Sequence, residues 1–338
     1  MSDRAQVVVV TPVFNEEEGL EEYAATVTRV LLENPETDFR VILVDDGSSD
    51  RSWELIEQIS TRDPRFRGVR LSRNFGSHVA LSAGFAHVGP EAGAAATLAC
   101  DLQDPPETIL EFVEKWREGS DIVWGERLSR QDSGWKVATS KLFNRALMKH
   151  AMPQGSKFTT GSFLLVDRIV LDCFNEFKEH NRITFALVAW TGFDQVRVPY
   201  HRVARTSGTS GWSFPKMLKS MYDAFIGLST LPIRVMKWAA ILALLFSVIL
   251  IGYTVGLTLL TETSAPGWAS QMIVVAGFFA VQFTLMAIVG EYLNRIYTES
   301  MRRPFFFVSR DTEHPRNEPL RQRALPARDA GLPGTHRD

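Results

Sequence analysis

Only two cysteines, Cys100 and Cys173, occur in the 338 residues. That is too few for a disulfide framework or a Cys-based zinc site, and it suits a reducing compartment. Charge of one sign is also missing: 37 Lys and Arg stand against 39 Asp and Glu, for a formal net charge of −2. The overall electrostatic case for a nucleic-acid partner therefore falls away. The opening MSDRAQVVVVTPVFNEE does not have the layout of a signal peptide, because its short valine run leads straight into acidic sequence. Folding is expected to begin at once in the cytosol. No dinucleotide fingerprint follows that run either; TPVFNEEEGL puts acidic side chains where a phosphate cradle wants glycine.

What the chain does have is a sharp shift in character along its length. Trp238 to Leu260 and Trp268 to Gly290 are two runs of 23 residues without a charge. At about 1.5 Å per residue, each helix would span roughly 34 Å, against about 30 Å for a bilayer core. The spacing predicts a hairpin over 235–293, with spans at about 236–260 and 268–290. The connecting TETSAPGWAS carries no Lys or Arg, whereas Lys216, Lys219, Arg234, Lys237, Arg295, Arg302 and Arg303 flank the outer ends. By the positive-inside bias both termini are cytoplasmic. Trp238, Tyr253 and Trp268 add interfacial character. Residues 213–234 mix Lys and Asp with Met, Leu, Phe and Ile at roughly helical spacing, and read as an amphipathic juxtamembrane segment. Residues 294–338 form a cytosolic tail, expected to be largely disordered after 308 because it has little to bury.

The first 212 residues alternate strand-like and helix-like segments. QVVVVT, RVILVD, GVRLS, AATLAC and DIVWG are aliphatic or β-branched runs of the kind covered on both faces. Between them, 16–33, 50–62, 77–88 and 107–118 read as helices, with Asp50 and Ser77 as N-caps and Pro105 and Pro106 at a helix start. The alternation predicts a doubly wound, mostly parallel α/β sheet that binds ligands at the carboxyl ends of its strands.

Two motifs fall at that edge. VDDGSSD ends the second strand with Asp45 and Asp46, suited to N–H and hydroxyl donors on a base and ribose; the same residues with Gly47 could instead form only a turn and a helix cap. CDLQDPPE ends the fourth strand with Asp101 and Gln103. In extended geometry these two point to one face, a seat for Mg²⁺ or Mn²⁺ completed by diphosphate oxygens and water.

Taken in order, PVFNEEEGL, VDDGSSD, RNFG, DLQDPPE, VPYHRVAR with GTSGWS, VGEYLNRIY and MRRPFFFV resemble the family 2 glycosyltransferases. More narrowly they resemble the polyisoprenyl-phosphate glycosyltransferases, the dolichol-phosphate mannose synthase group, over about residues 6 to 308. The resemblance implies a GT-A domain over 1–212. It implies donor binding by Pro12, Phe14, Glu16 and Asp45, and by Arg202, Arg205 and Ser210 in a loop that closes over the diphosphate. Asp101 and Gln103 match metal ligands, and Arg127 matches a position near the metal and the acceptor phosphate. It further implies a homo-oligomer, a tetramer, and a nucleotide-sugar donor, UDP ahead of GDP.

Three positions depart from that pattern. Ala99 replaces the first Asp of D-x-D-x-Q, Ser162 the Asp of GDF, and Gly211 the Lys of SKY. A lost carboxylate base is tolerable if the acceptor is a phosphate monoester, whose second pKa near 6 leaves it largely dianionic at neutral pH. The expected reaction is thus inverting transfer of a sugar to undecaprenyl or dolichyl phosphate at the cytoplasmic face of the inner membrane. Arg127, with Lys136 or Lys141, would hold the lipid phosphate. Two other readings are a processive polysaccharide synthase, which would normally show Gln-x-x-Arg-Trp, and a non-catalytic membrane scaffold that kept the fold. No Arg-Trp dipeptide occurs.

Overall fold

The valine run near the start of the chain becomes the middle of the sheet. The computed structural model describes residues 5–128, 162–179, 182–202 and 267–313, with scattered positions between 236 and 253. In chain order the elements are β1 (Gln6–Val13), α1 (Leu20–Val27), β2 (Asp38–Asp45), α2 (Ser52–Arg62), β3 (Phe66–Leu71), α3 (Ser77–Ala86), β4 (Ala92–Thr97), α4 (Glu107–Arg117) and β5 (Ile122–Arg127). They continue with β6 (Leu164–Asp167), α5 (Arg168–Glu176), α6 (Thr184–Trp190), β7 (Gln195–Tyr200), α7 (Trp268–Ser300) and β8 (Val308–Asp311). The eight strands lie in the order β7-β5-β6-β4-β1-β2-β3-β8. Strands β3, β2, β1 and β4 run parallel, as do β5 and β7, while β6 and β8 run antiparallel to their neighbours. The expected mostly parallel α/β sheet is present.

Period-two alternation sorts the valines of β1 between two cores. Val7 and Val9 face α1, α2 and α4 through Tyr23, Ile56 and Phe112; Val8 and Val10 face α3, α5 and α6 through Ala83, Phe174 and Phe185. Both faces are covered, so the strand reads as an unbroken apolar run. The chain leaves β1 on one side for β2 and returns on the other as β4. This reversal opens a crevice at the carboxyl ends of β1, β2 and β4.

The expected helices are present with shifted ends. Residues 16–33 divide into a turn at Glu16–Gly19, α1, and a π-helical turn over Thr28–Leu32. Helix α3 is capped by Gly76, with Ser77 its first residue rather than its cap. Helix α2 has Arg51 rather than Asp50 at its cap position, with Asp50 one residue earlier accepting from the backbone N–H of Ser52. Strand β4 ends at Thr97, three residues earlier than the apolar run suggests.

Helix α7 carries exposed apolar side chains along its length, among them Phe279, Phe283, Met286, Leu293 and Ile296. Phe278 meets Phe246 with ring centroids 6.0 Å apart. Among the described residues no helix is long and apolar enough to cross a membrane; most of 236–266, several side chains of α7, and the segment 213–234 lie outside them. After α7 the chain reverses at Arg302, in the left-handed region at φ 48°, and returns to the sheet. There the expectation of little burial after Val308 needs correction, because Val308–Asp311 pairs with β3. Arg67 Nη2 lies 2.6 Å from Asp311, and Gly68 N–H donates to Thr312 Oγ1 at 2.8 Å. Residues 314–338 are outside the described set.

Candidate active site

The loops after β1 and β2 are stitched together by side chains accepting from backbone. Asn15 N–H donates to Ser48 Oγ, Glu16 N–H to Ser52 Oγ, and Ser49 N–H to Asn15 Oδ1. Pro12 is half-buried, Phe14 is exposed and Glu16 is half-buried, at and just beyond the carboxyl end of β1. Asp45 is wholly buried. Its Oδ1 accepts from Ser48 N–H at 2.9 Å, and Arg70 Nε lies 3.0 Å from Oδ2 as an ion pair without hydrogen-bond alignment.

Asp46 is also buried, and its two oxygens accept from the backbone N–H groups of Phe75 and Gly76, each at 2.8 Å. Burial pushes its pKa above the usual carboxylate range, although those two donors pull it back. The carboxylate fixes the Arg73–Gly76 loop at the head of α3. Gly47, at φ +70°, lets that loop pass; a Cβ there would lie 2.5 Å from the Arg73 carbonyl carbon. Both aspartates are thus engaged by hydrogen bonds within the fold, Asp45 in the turn after β2 and Asp46 with the loop at the head of α3.

At the end of β4 the extended geometry expected for Asp101 and Gln103 is absent. Leu102 between them has φ 50°, because the strand has already ended and the chain turns here. Gln103 N–H donates to Asp101 Oδ1 at 3.3 Å. Both side chains are half-buried at the crevice. Cys100 is pushed above its ordinary range by burial, then by the charges of Glu16 and Asp101. Among the described residues no group of three or more His, Cys, Asp or Glu is gathered to hold a metal. A carboxylate and an amide oxygen on one turn fit a hard cation that takes the rest of its shell from a diphosphate and water.

Beyond β4 the edge is organised by a residue that the linear pattern does not single out. Asp104, 1% exposed, accepts from the Tyr200 hydroxyl at 2.6 Å. Arg127 Nε–H donates to Tyr200 Oη at 3.1 Å, and its Nη2 lies 3.9 Å from Asp104 Oδ1. Arg202 Nε lies 3.4 Å from the same oxygen. Arg127 and Tyr200 are register partners of β5 and β7. Gly125, two residues before Arg127, leaves room for the Tyr200 ring; a Cβ there would lie 2.9 Å from Tyr200 Cε1. Burial and the nearby Asp104 charge push the Tyr200 hydroxyl up to about 12, so it keeps its proton and donates. The structure therefore brings Arg127 and Arg202 together. Arg205, Ser210, Lys136 and Lys141 lie outside the described residues.

The mostly parallel sheet thus places Asp101 and Gln103 beyond the end of β4, and Arg127 and Arg202 at the ends of β5 and β7. Residues 8–174 match glycosyl transferase family 2. The chain is 34% identical over 311 residues to YkcC, an uncharacterized glycosyltransferase of Bacillus subtilis (strain 168), covering 92% of this chain and 95% of that protein. This chain belongs to glycosyl transferase family 2. Among solved structures it is similar to the mannosyltransferase PcManGT from Pyrobaculum calidifontis, in complex with GDP-Man and Mn²⁺, at 15% identity and a TM-score of 0.45 over 86% of this chain and 87% of that one. It is also similar to S. aureus TarS 1-349, at 14% identity and a TM-score of 0.38 over 57% of this chain, and it spans 58% of that chain.

Proposed function

We propose that this chain transfers a sugar from a nucleotide-sugar to a polyisoprenyl phosphate at the cytoplasmic face of a membrane, with inversion at the anomeric carbon. The observation that carries this reading is the union of two features in one chain. One is a crevice holding Asp101, Gln103, Arg127 and Arg202. The other is a 33-residue helix, uncharged over its first 23 residues, after which the chain returns to the same sheet as β8. The 23-residue uncharged stretch of α7 and its exposed apolar surface favour lipid around it, and this tether holds the crevice at headgroup depth.

Pro12, Phe14 and Glu16 line the nucleoside end, while Asp45 contributes through the loop it shapes. Arg127 and Arg202 both pair with the donor diphosphate, and Arg127 also holds the acceptor phosphate beside it, a task suited to the guanidinium fork. The acceptor phosphate oxygen forms its bond to the anomeric carbon as the bond to the diphosphate breaks. The leaving nucleoside diphosphate takes the electron pair, and no proton needs to be removed. Mg²⁺ or Mn²⁺ on Asp101 and Gln103 would supply Lewis-acid stabilisation of the leaving diphosphate.

The test is transfer by purified full-length protein in liposomes containing undecaprenyl phosphate, across a panel of UDP- and GDP-sugars with Mn²⁺ or Mg²⁺. A labelled lipid product that disappears with excess chelator is expected. Sugar transfer to a free polyprenol, or full activity in chelator, would overturn the mechanism.

A further inference from the structure

Asp104 sits in a loop directly before Pro105, yet it is among the most deeply buried charged residues of the chain. A buried carboxylate is costly unless opposite charge and hydrogen bonds surround it. Here the compensation comes from three side chains on two other segments: Arg127 at the end of β5, and Tyr200 and Arg202 at the end of β7. Both arginines turn their Nε edge inward, one onto Tyr200 Oη and one toward Asp104 Oδ1. Among the described residues, no partner is taken by Arg127 Nη1 or by either terminal nitrogen of Arg202. The Tyr200 hydroxyl, donating to Asp104 and accepting from Arg127, sets the tilt of one guanidinium relative to the other. One negative charge thus orients two positive ones, and the cluster keeps a net positive charge with N–H groups to spare.

We propose that Asp104, acting through Tyr200, is a positioning residue that makes Arg127 and Arg202 a single clamp for the diphosphate of the donor. This rests on the reading of the crevice as a nucleotide-sugar site. Two consequences separate it from a bystander charge. A carboxylate acting only through its field opposes a bound diphosphate, so neutralising it would tighten binding. A carboxylate that positions the arginines weakens binding when neutralised, despite the more favourable net charge, because the forks lose their common aim.

The experiment is titration calorimetry of the full-length protein in detergent with UDP and with GDP, each with Mg²⁺. Asp104→Asn is expected to weaken the preferred diphosphate about tenfold, which is 1.4 kcal/mol. Tyr200→Phe, which leaves every charge in place, is expected to weaken it several-fold. Asp104→Asn added to Arg127→Gln should cost little beyond Arg127→Gln alone, since the two act as one unit. Unchanged or tighter binding by folded Asp104→Asn overturns the proposal, as does full additivity of the pair. If Asp104→Asn lacks a cooperative melting transition, Tyr200→Phe decides, and unchanged affinity there overturns it. Failure to glycosylate a polyprenyl phosphate would sink the acceptor assignment and leave this titration standing. Absence of any UDP or GDP binding by the unmodified chain would remove the clamp itself.

Discussion

Two of the carboxylates buried at the sheet's carboxyl edge are held in opposite ways. Beside β2, Asp46 is held by backbone N–H groups of Phe75 and Gly76, which are neutral and fixed by the fold. Beside β5 and β7, Asp104 is held by a tyrosine and two arginines, which are charged and still have donors to offer. The first arrangement shapes a loop with neutral donors. The second leaves positive charge poised at the crevice. Burial alone therefore does not mark a carboxylate that serves a site; the nature of its partners does.

The largest effect should come from breaking the charged half. Arg127→Ala is expected to reduce transfer a hundred- to a thousandfold, about 2.7–4 kcal/mol of lost transition-state stabilisation, because one anion would be left unpaired beside another. Steady-state rates at saturating donor and acceptor check this, and a loss below tenfold would count against Arg127 as a substrate contact.

On the neutral half the next effect is on stability. His78, in the first turn of α3, is pushed by burial down to about 4. The unfolded chain takes up a proton near pH 6.5 while the folded chain refuses it until about pH 4, so stability falls as pH drops through that window. At about 1.4 kcal/mol per unit, the loss approaches roughly 3 kcal/mol. His87, also lowered by burial, adds a slope of the same sign. Denaturant titrations of His78→Phe should show a flatter pH dependence than the unmodified chain, and an unchanged slope would refute the assignment.

Gly47→Ala probes the same half through its backbone. With φ at +70° and the Arg73 backbone in the way, the substitution is expected to cost about 1–3 kcal/mol at neutral pH. The denaturation midpoint reads this directly.

The smallest effect is predicted for Ser162→Ala. Its backbone carbonyl accepts from the Thr97 hydroxyl, which joins β4 to the strand that follows. If the acceptor phosphate is its own nucleophile, turnover should stay within about tenfold, at most roughly 1.4 kcal/mol, and should rise through about pH 6 with the second ionisation of the lipid phosphate. Damage equal to that of Arg127→Ala would assign Ser162 a direct role.

Much of the architecture was legible because it depends on local pattern. The unbroken valine and isoleucine runs of β1 and β2 announced a sheet covered on both faces, and Pro105 and Pro106 announced α4. The ends were less legible. The run AATLAC continues in composition past Thr97, but the chain turns there, and with it went the reason given for pairing Asp101 with Gln103. Strand β8 was missed because VSRD is short and charged; it becomes a strand only because β3 offers it an edge, with Arg67 waiting for Asp311.

The sequence by itself determined the layering of this protein, since periodicity and apolar runs act over neighbours a few residues apart. It also determined which residue types reach the ligand edge, since strand ends are marked by Asp, Gly and Pro. Only the tertiary structure decided what those residues do there. Asp46 and Asp104 are each a single letter beside a turn. Nothing in their spacing says that one will meet backbone N–H groups from 29 and 30 residues away and the other a tyrosine 96 residues away. Which partner arrives depends on strand order and register, which long-range packing sets, and the charge left over for chemistry depends on the partner.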